Sequence, residues 1–447
     1  MNYFSLLQAR AEEGRPLRVG VIGAGKFGTM FLSQALHTTG LHVLGIADLD
    51  VGRARRQLAS TGWPAESYAA ASFEKALGEG STCITDDANS LITADGMDVI
   101  VEATGIPEAG IAHALKAFSC GRHVVMVNVE ADVLAGPLLA QRAQQAGVVY
   151  SMAYGDQPAL IAEQVDWARA CGFEVISAGK GTRYHPDYHA STPGTVWDHY
   201  GLTSEQASAG GMNAKMFNSF LDGTKSAIEM AAVANACGLT PAPHGLEFPP
   251  CGVDLLADVL RPKSDGGVLH HKGQVEVVSS LQRDGSDVAR DLRWGVFVSF
   301  EAPSQYVERC FSEYGITTDS SGRYSALYRP FHLIGLELGI SVISAGILGQ
   351  PTGVANGFRG DAIATAKRDL VAGEILDGEG GFCVYGKLMP AGDSLGGGFL
   401  PIGLASGVRL TSSVAAGQTL RFADVDIDGT SPVVAFRREM EAAFGMS

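Results

Sequence analysis

Three clusters in this chain combine reactive side chains with apolar or glycine-rich surroundings. In SAGKG, Lys180 stands between Gly179 and Gly181, after a predicted strand over 173–178. Glycine neighbours leave the backbone unobstructed, so an anion or a carbonyl oxygen can approach the ammonium. Phosphate or carboxylate binding, or carbonyl polarisation, is the chemistry implied; an exposed turn lysine is the plain alternative. In MNAKMFNSFLDGTKSAIEMAAVANACG, Lys225 and Glu229 lie four residues apart on one predicted helix face. Asp222 lies three residues before Lys225, and Asn213 and Lys215 lie further upstream. An exposed pair would contribute a few tenths of a kcal/mol. The small apolar residues around it predict burial instead, where a charged pair is costly unless it has a task. Lys225 then polarises a carbonyl oxygen or holds its alkoxide, and Glu229 tunes it or shuttles a proton. The third cluster is Tyr324, Arg329 and His332 in GRYSALYRPFHL, ahead of a long apolar stretch read as a helix. Arg329 suits bidentate binding of phosphate or carboxylate. His332 suits proton transfer, or equally a helix cap or a core position.

A metal is a weaker reading. HPDYH places His185, Asp187 and His189 close together, but Pro186 argues against the helix on which such ligand pairs usually ride. The adjacent His270 and His271 point apart. No ligand set stands out, and a divalent metal stays open.

The elements that must position these groups begin with a nucleotide site. In RPLRVGVIGAGKFGTMFLSQALHTTGLHVLGIADLD, a strand over 18–22 is followed by Gly23, Gly25 and Gly28 in the G-x-G-x-x-G spacing. A helix over 27–37 comes next, then a second strand ending at Asp48. Gly23 permits the tight turn, Gly25 the approach of a pyrophosphate, and Gly28 close helix packing. Lys26 and Phe27 complete the loop, and the helix N-terminus faces the phosphates. A carboxylate at Asp48 accepts from a ribose 2′-hydroxyl and repels a 2′-phosphate, so NAD is expected over NADP. Arg53, Arg55 and Arg56 follow; a solvated helix face is the plain reading of them, and softening that choice is the alternative. Strands over 96–105, 121–132 and 147–156 alternate with helices, which predicts a doubly wound parallel sheet. Ligands bind at the carboxyl ends of such strands, which adds Thr104, Gly105, Asn128 and Glu130 to the cofactor crevice.

Composition narrows the function classes. The chain has 447 residues and a formal net charge of -15, with 46% hydrophobic and 18% charged residues. Two or three domains are expected. An acidic chain without a basic block is a poor partner for nucleic acid or anionic membranes. The N-terminus lacks a signal-peptide layout, and no run of about 18 apolar residues is free of charge. The seven cysteines are scattered, without a C-x-x-C pair. A cytoplasmic protein with reduced thiols is expected. From about residue 366, short strands between glycine turns predict a small β-rich unit, with Gly396–Gly398 in a mobile loop.

VIGAGKFGT, VEATGIPE, VMVNVEADV, SAGKG, DGTKSAIEMAAVANACGL, YRPFHL, ATAKRDLVAGE and LPIGLASG together resemble a known family. The N-terminal half resembles homoserine dehydrogenase. The whole chain resembles the deoxyxylulose-phosphate reductoisomerase-like proteins, which add a C-terminal SAF (β-clip) module. The resemblance implies an α/β chain in three parts. These are a Rossmann domain over 1–160, an α+β substrate and dimerisation domain over 161–365, and a SAF-like β-rich domain over 366–447. It implies an NAD(P)-linked reaction on a small polar substrate, in a cleft between the first two domains of a homodimer or higher oligomer. Asn213, Lys180, Lys225, Glu229, Tyr324, Arg329 and His332 match the reductoisomerase-like group, which uses NADPH and a divalent metal. Asp48 and the TRYHPDYHASTPGTVW loop depart from it. A dehydrogenase, a reductoisomerase, a redox-neutral enzyme with tightly held NAD, and a non-catalytic NAD sensor are the readings these residues admit.

Overall fold

A computed structural model of the chain describes residues 2–209 and 212–445. The chain forms two compact units, Met1–Leu160 with Leu333–Ala355, and Ile161–His332 with Asn356–Ser447. The 366–447 region thus packs within the second unit, where the sequence pattern predicts a separate domain. The 333–355 stretch, predicted in the substrate domain, returns to the first unit.

The first unit is built on β1 (Leu17–Ile22), β2 (Leu41–Ala47), β3 (Cys83–Thr85), β4 (Val99–Glu102), β5 (His123–Met126) and β6 (Tyr150–Met152). They form one parallel sheet in the order β3-β2-β1-β4-β5-β6. This is the doubly wound α/β order of a Rossmann sheet. Strands covered on both faces read as continuous apolar runs, as in VGVI and VIVE. Helices α1 (Lys26–Ala35), α2 (Val51–Ser60), α3 (Pro107–Ser119) and α4 (Val129–Gln145) lie between the strands. The VEAD segment, predicted as strand, opens α4. Asn128 caps it by accepting from the Ala131 N–H at 3.1 Å, and Glu130 and Asp132 sit in its first turn. Cap chemistry there outweighs the β-branched run. From the returning segment, Leu338, Val342, Ile343 and Ala345 join Val19, Phe31, Val99 and Val125 in the core.

The second unit carries a mixed sheet, β10-β9-β7-β8, of β7 (Glu174–Thr182), β8 (Gln274–Ser279), β9 (Val296–Glu301) and β10 (Tyr324–Arg329). β7 and β8 are parallel, and β9 is antiparallel to both β7 and β10. Helices α5 (Ala214–Leu221) and α6 (Thr224–Cys237) precede β8. The C-terminal part adds the pair β11 (Gly360–Ala366) and β13 (Val384–Pro390). It also adds a small sheet of β12 (Ile375–Asp377), β14 (Ser406–Leu410) and β15 (Val425–Asp426). α6 packs on β7, β8, β11 and β13. Small residues permit this. A Cβ on Gly360 would lie 3.2 Å from that of Ala234, and one on Gly386 would lie 2.9 Å from Thr224. No helix among the described residues is long and apolar enough to cross a membrane.

Candidate active site

In the first unit the three loop glycines have separable causes. Gly23 has φ +98°, and a Cβ there would come within 2.7 Å of the Ala103 carbonyl oxygen. A Cβ on Gly28 would come within 2.1 Å of the Gly23 oxygen. Both are required by the fold itself. Gly25, the N-cap of α1, would meet nothing within 4 Å. Open space over the first N–H groups of a helix is what a pyrophosphate needs, so the loop fits a dinucleotide. Lys26 is exposed and Phe27 half-buried at the start of α1.

Asp48 follows β2 and is 5% exposed. Its carboxylate accepts from the Ala24 N–H at 2.7 Å, the Asp50 N–H at 2.9 Å, and Arg53 at 2.7 and 2.8 Å. Burial pushes this carboxyl up, but the Arg53 bond and the backbone donors outweigh it and hold the pKa below the ordinary value. Gly105 has φ +69°. Asn128 donates to the Ile106 carbonyl at 2.9 Å and so ties that loop to α4. Thr104 donates to Glu102 at 2.5 Å, and His113 lies 3.3 Å from the same oxygen. Glu102 is fully buried at the end of β4. The sequence pattern reads it as part of a strand, and an acid closing an apolar run was the signal available. Glu130 is half-buried in the first turn of α4.

In the second unit, Lys180 lies inside β7, where the glycine pattern predicts a strand end. Gly179 and Gly181 serve packing. A Cβ on either would come within 1.7 Å of the Glu276 oxygen or 1.9 Å of the Leu292 oxygen. Lys180 is 4% exposed, and its ammonium forms an ion pair with Glu229 of α6, itself 3% exposed. Lys225 sits one turn before Glu229, half-buried, on the same face by spacing.

Register brings Arg329 to this face. Lys180 is opposite Val296, and Val296 is opposite Arg329. Residues directly opposite share a face, and two strand spacings separate the outer pair by about 10 Å. Tyr324 is five residues before Arg329 on the same strand and therefore faces the other way. It packs with Ile176 and Phe297, and its hydroxyl donates to Asp265 at 2.8 Å. Asn213 is exposed and caps α5, accepting from the Lys215 and Met216 N–H groups. His332 lies beyond β10, with Nδ1 2.7 Å from the Trp294 carbonyl oxygen at the entry to β9.

Two arginines missed by the sequence pattern lie at this end of the sheet. Arg183 follows β7, and Arg293 precedes β9. The Gly181 N–H to Gly295 oxygen bond, at 3.0 Å, joins their segments. Arg293 stacks on Trp294, with its guanidinium carbon 4.7 Å from the ring centroid. Burial raises the Tyr200 phenol, and the charges of Arg293 and Arg183 oppose it, which places both near one hydroxyl. Among the described residues no carboxylate pairs with Arg183, and its buried Nε has no partner.

A second buried ion pair lies at the α5–α6 junction. Lys367, just past β11, contacts Asp222 at 2.7 Å, and both side chains are almost fully enclosed. Lys367 also donates to the Ser191 and Gly381 carbonyl oxygens, each at 2.7 Å. His189 Nδ1 is 2.7 Å from the Asp222 carbonyl oxygen, and its Nε2 is 3.0 Å from the Tyr184 hydroxyl. Burial holds His189 below the usual imidazole pKa. So His189 faces the interior, and Asp222, set beside Lys225 by sequence, pairs with Lys367. Among the described residues no group of three or more His, Cys, Asp or Glu side chains could hold a metal ion.

Residues 155–338 match the model of a family described as oxidoreductase DRL, catalytic domain. No curated protein matches the chain. Among solved structures, a probable dehydrogenase from Thermotoga maritima is 15% identical over 76% of this chain and 91% of that one, with a TM-score of 0.39. A biliverdin reductase from Synechocystis is 16% identical over 38% of this chain, with a TM-score of 0.27. A myo-inositol dehydrogenase from Lactobacillus casei is 17% identical over 40% of this chain, with a TM-score of 0.28. This chain spans 48% and 50% of the lengths of those last two. Residues 155–338 thus resemble an oxidoreductase catalytic domain, and the glycine loop of the doubly wound sheet fits a dinucleotide.

Proposed function

We propose that this chain is a nicotinamide-dependent oxidoreductase that acts on a small, polar, anionic hydroxy or oxo compound at Lys180. One observation carries the reading. The Lys180 ammonium is buried, yet among the described residues its one partner is Glu229. An ammonium has three donors, and leaving two unused in the interior is costly unless a ligand takes them. Lys180 donates to the reacting oxygen, polarising a carbonyl or holding the alkoxide. A proton passes between that oxygen and the Lys180–Glu229 pair. Lys225, one turn from Glu229, adds positive charge on the same helix face. Arg329, Arg183 and Arg293 hold the anionic end. The nicotinamide, when bound, supplies or accepts the hydride.

The test is turnover of wild-type protein and Lys180→Met on a panel of hydroxy acids and sugar phosphates, with nucleotide affinity measured in parallel. Loss of roughly 100-fold or more in kcat with little change in nucleotide affinity is expected. Undiminished kcat in Lys180→Met would remove Lys180 from the mechanism.

A further inference from the structure

The reading of the first unit as a dinucleotide site leaves cofactor choice to Asp48, and the geometry around that residue changes what it implies. An acid at this strand end favours NAD because its charge is free to repel a 2′-phosphate and its oxygens are free to accept from the ribose. Neither condition holds here. One Arg53 nitrogen lies 2.7 and 2.8 Å from the two Asp48 oxygens, so the local charge is cancelled. Backbone N–H groups of Ala24 and Asp50 already occupy one position on each oxygen. The two partners also differ in freedom. The Asp48 side chain is 2% exposed and anchored from the glycine loop, whereas the Arg53 side chain is 48% exposed on the first turn of α2. Arg56, one turn on, is exposed and pairs with Asp50 at 3.4 Å.

We propose that Arg53 is a movable specificity residue that lets this site accept both NAD and NADP. With NAD, the ribose hydroxyls replace the Arg53 nitrogen as donors to Asp48, and the guanidinium swings outward. With NADP, Arg53 leaves Asp48 partly or wholly and forks onto the 2′-phosphate, with Arg56 adding charge. Arg53 is half-exposed, and the Ala24 and Asp50 N–H groups stay on the Asp48 carboxylate when the guanidinium moves, so either exchange is open to the same protein. Asp48 has a second task in both cases. Its bond to Ala24 props the loop between Gly23 and Gly25, so it supports pyrophosphate binding whichever nucleotide is present.

The test is calorimetric titration of the full-length protein with NAD and with NADP, for wild type, Arg53→Ala, Arg53→Lys and Asp48→Asn, with thermal melts confirming folding. Wild type binds both nucleotides with dissociation constants within about tenfold of each other. Arg53→Ala shifts their ratio towards NAD by roughly tenfold or more, and Arg53→Lys falls between. Asp48→Asn weakens both. A ratio unchanged in Arg53→Ala, or a wild type that takes one nucleotide and excludes the other, overturns the proposal while leaving nucleotide binding intact. Binding of neither nucleotide by folded wild type overturns the reading of the first unit as well.

Discussion

Lys180 and Lys367 are both buried lysines of the second unit, each at an acid on or just ahead of α6, and they are used in opposite ways. Lys367 directs its ammonium at three acceptors, the Asp222 carboxylate and the Ser191 and Gly381 carbonyls. With two hydrogen bonds and an ion pair, Lys367 is a bolt. It joins the start of α6 to the C-terminal strands, assisted by the Thr224 hydroxyl accepting from the Gly386 N–H at 2.8 Å. Lys180 meets one acceptor among the described residues. The contrast teaches that burial of a charge does not by itself mark a site. Donor accounting separates a lysine bound to several acceptors from one that meets a single acceptor.

The sharpest way to break this comparison is to remove each lysine in turn. Lys180→Met should lower kcat by about 10²- to 10⁴-fold, as expected for loss of a group that donates in the transition state. Lys367→Met, assayed at a temperature where it is folded, should keep kcat within about threefold. Equal kcat losses in the two variants would erase the distinction. Stability should rank them the other way. Lys367→Met strands a fully buried carboxylate at Asp222 and should cost about 3–5 kcal/mol, read by denaturant unfolding. Burial already holds Asp222 above the ordinary carboxyl pKa even with Lys367 beside it. The charge left behind is therefore expected to pick up a proton, and Asp222→Asn in the same background should recover part of the loss.

Glu276 sharpens the comparison from the acid side. It is fully buried on β8 and accepts from the backbone N–H groups of Glu247, Phe248 and Val277. Burial still pushes its pKa from 4.5 to about 7. A carboxyl with its folded pKa above its unfolded one binds more protons when folded. Its contribution is full below about pH 4.5 and is lost as the pH rises to about 7. Glu276→Gln should remove that fall, so the stability difference between wild type and variant should change by about 3 kcal/mol over this window. The kcat should not follow it. The smallest effect is expected at the anionic end. Arg329→Gln should raise KM by roughly tenfold with kcat little changed. A large kcat loss there would move Arg329 into the chemistry.

Legibility from sequence tracked the range of the interactions. The G-x-G-x-x-G loop, the strands around it and the helix after it follow from turn sterics and apolar runs within a few tens of residues, and each could be located from spacing. Lys180 and Glu229 were each visible as charges in apolar surroundings. Their partnership was not, because i, i+4 spacing offers Glu229 a partner on its own helix and conceals one on a strand packed against it. Gly179 and Gly181 read as turn punctuation. Their cause is close approach of the neighbouring strand and loop, which no local pattern displays. Tyr324 and Arg329 looked like one cluster until strand parity put them on opposite faces. Lys367 and Arg183 lie in the segments ATAKRDLVAGE and TRYHPDYHASTPGTVW, yet neither stood out there, because their partners come from distant parts of the chain.

By itself, the sequence determined the doubly wound α/β first unit, the G-x-G-x-x-G loop and which residue types were out of place in an apolar chain. These depend on backbone sterics and periodicity, which are properties of adjacent residues. Tertiary structure alone decided which charge meets which. It paired Lys180 with Glu229, closed Lys367 on Asp222 and covered Asp48 with Arg53. The energy of a buried charge depends on every donor and acceptor within a few ångströms, and in this fold those atoms come from distant parts of the chain.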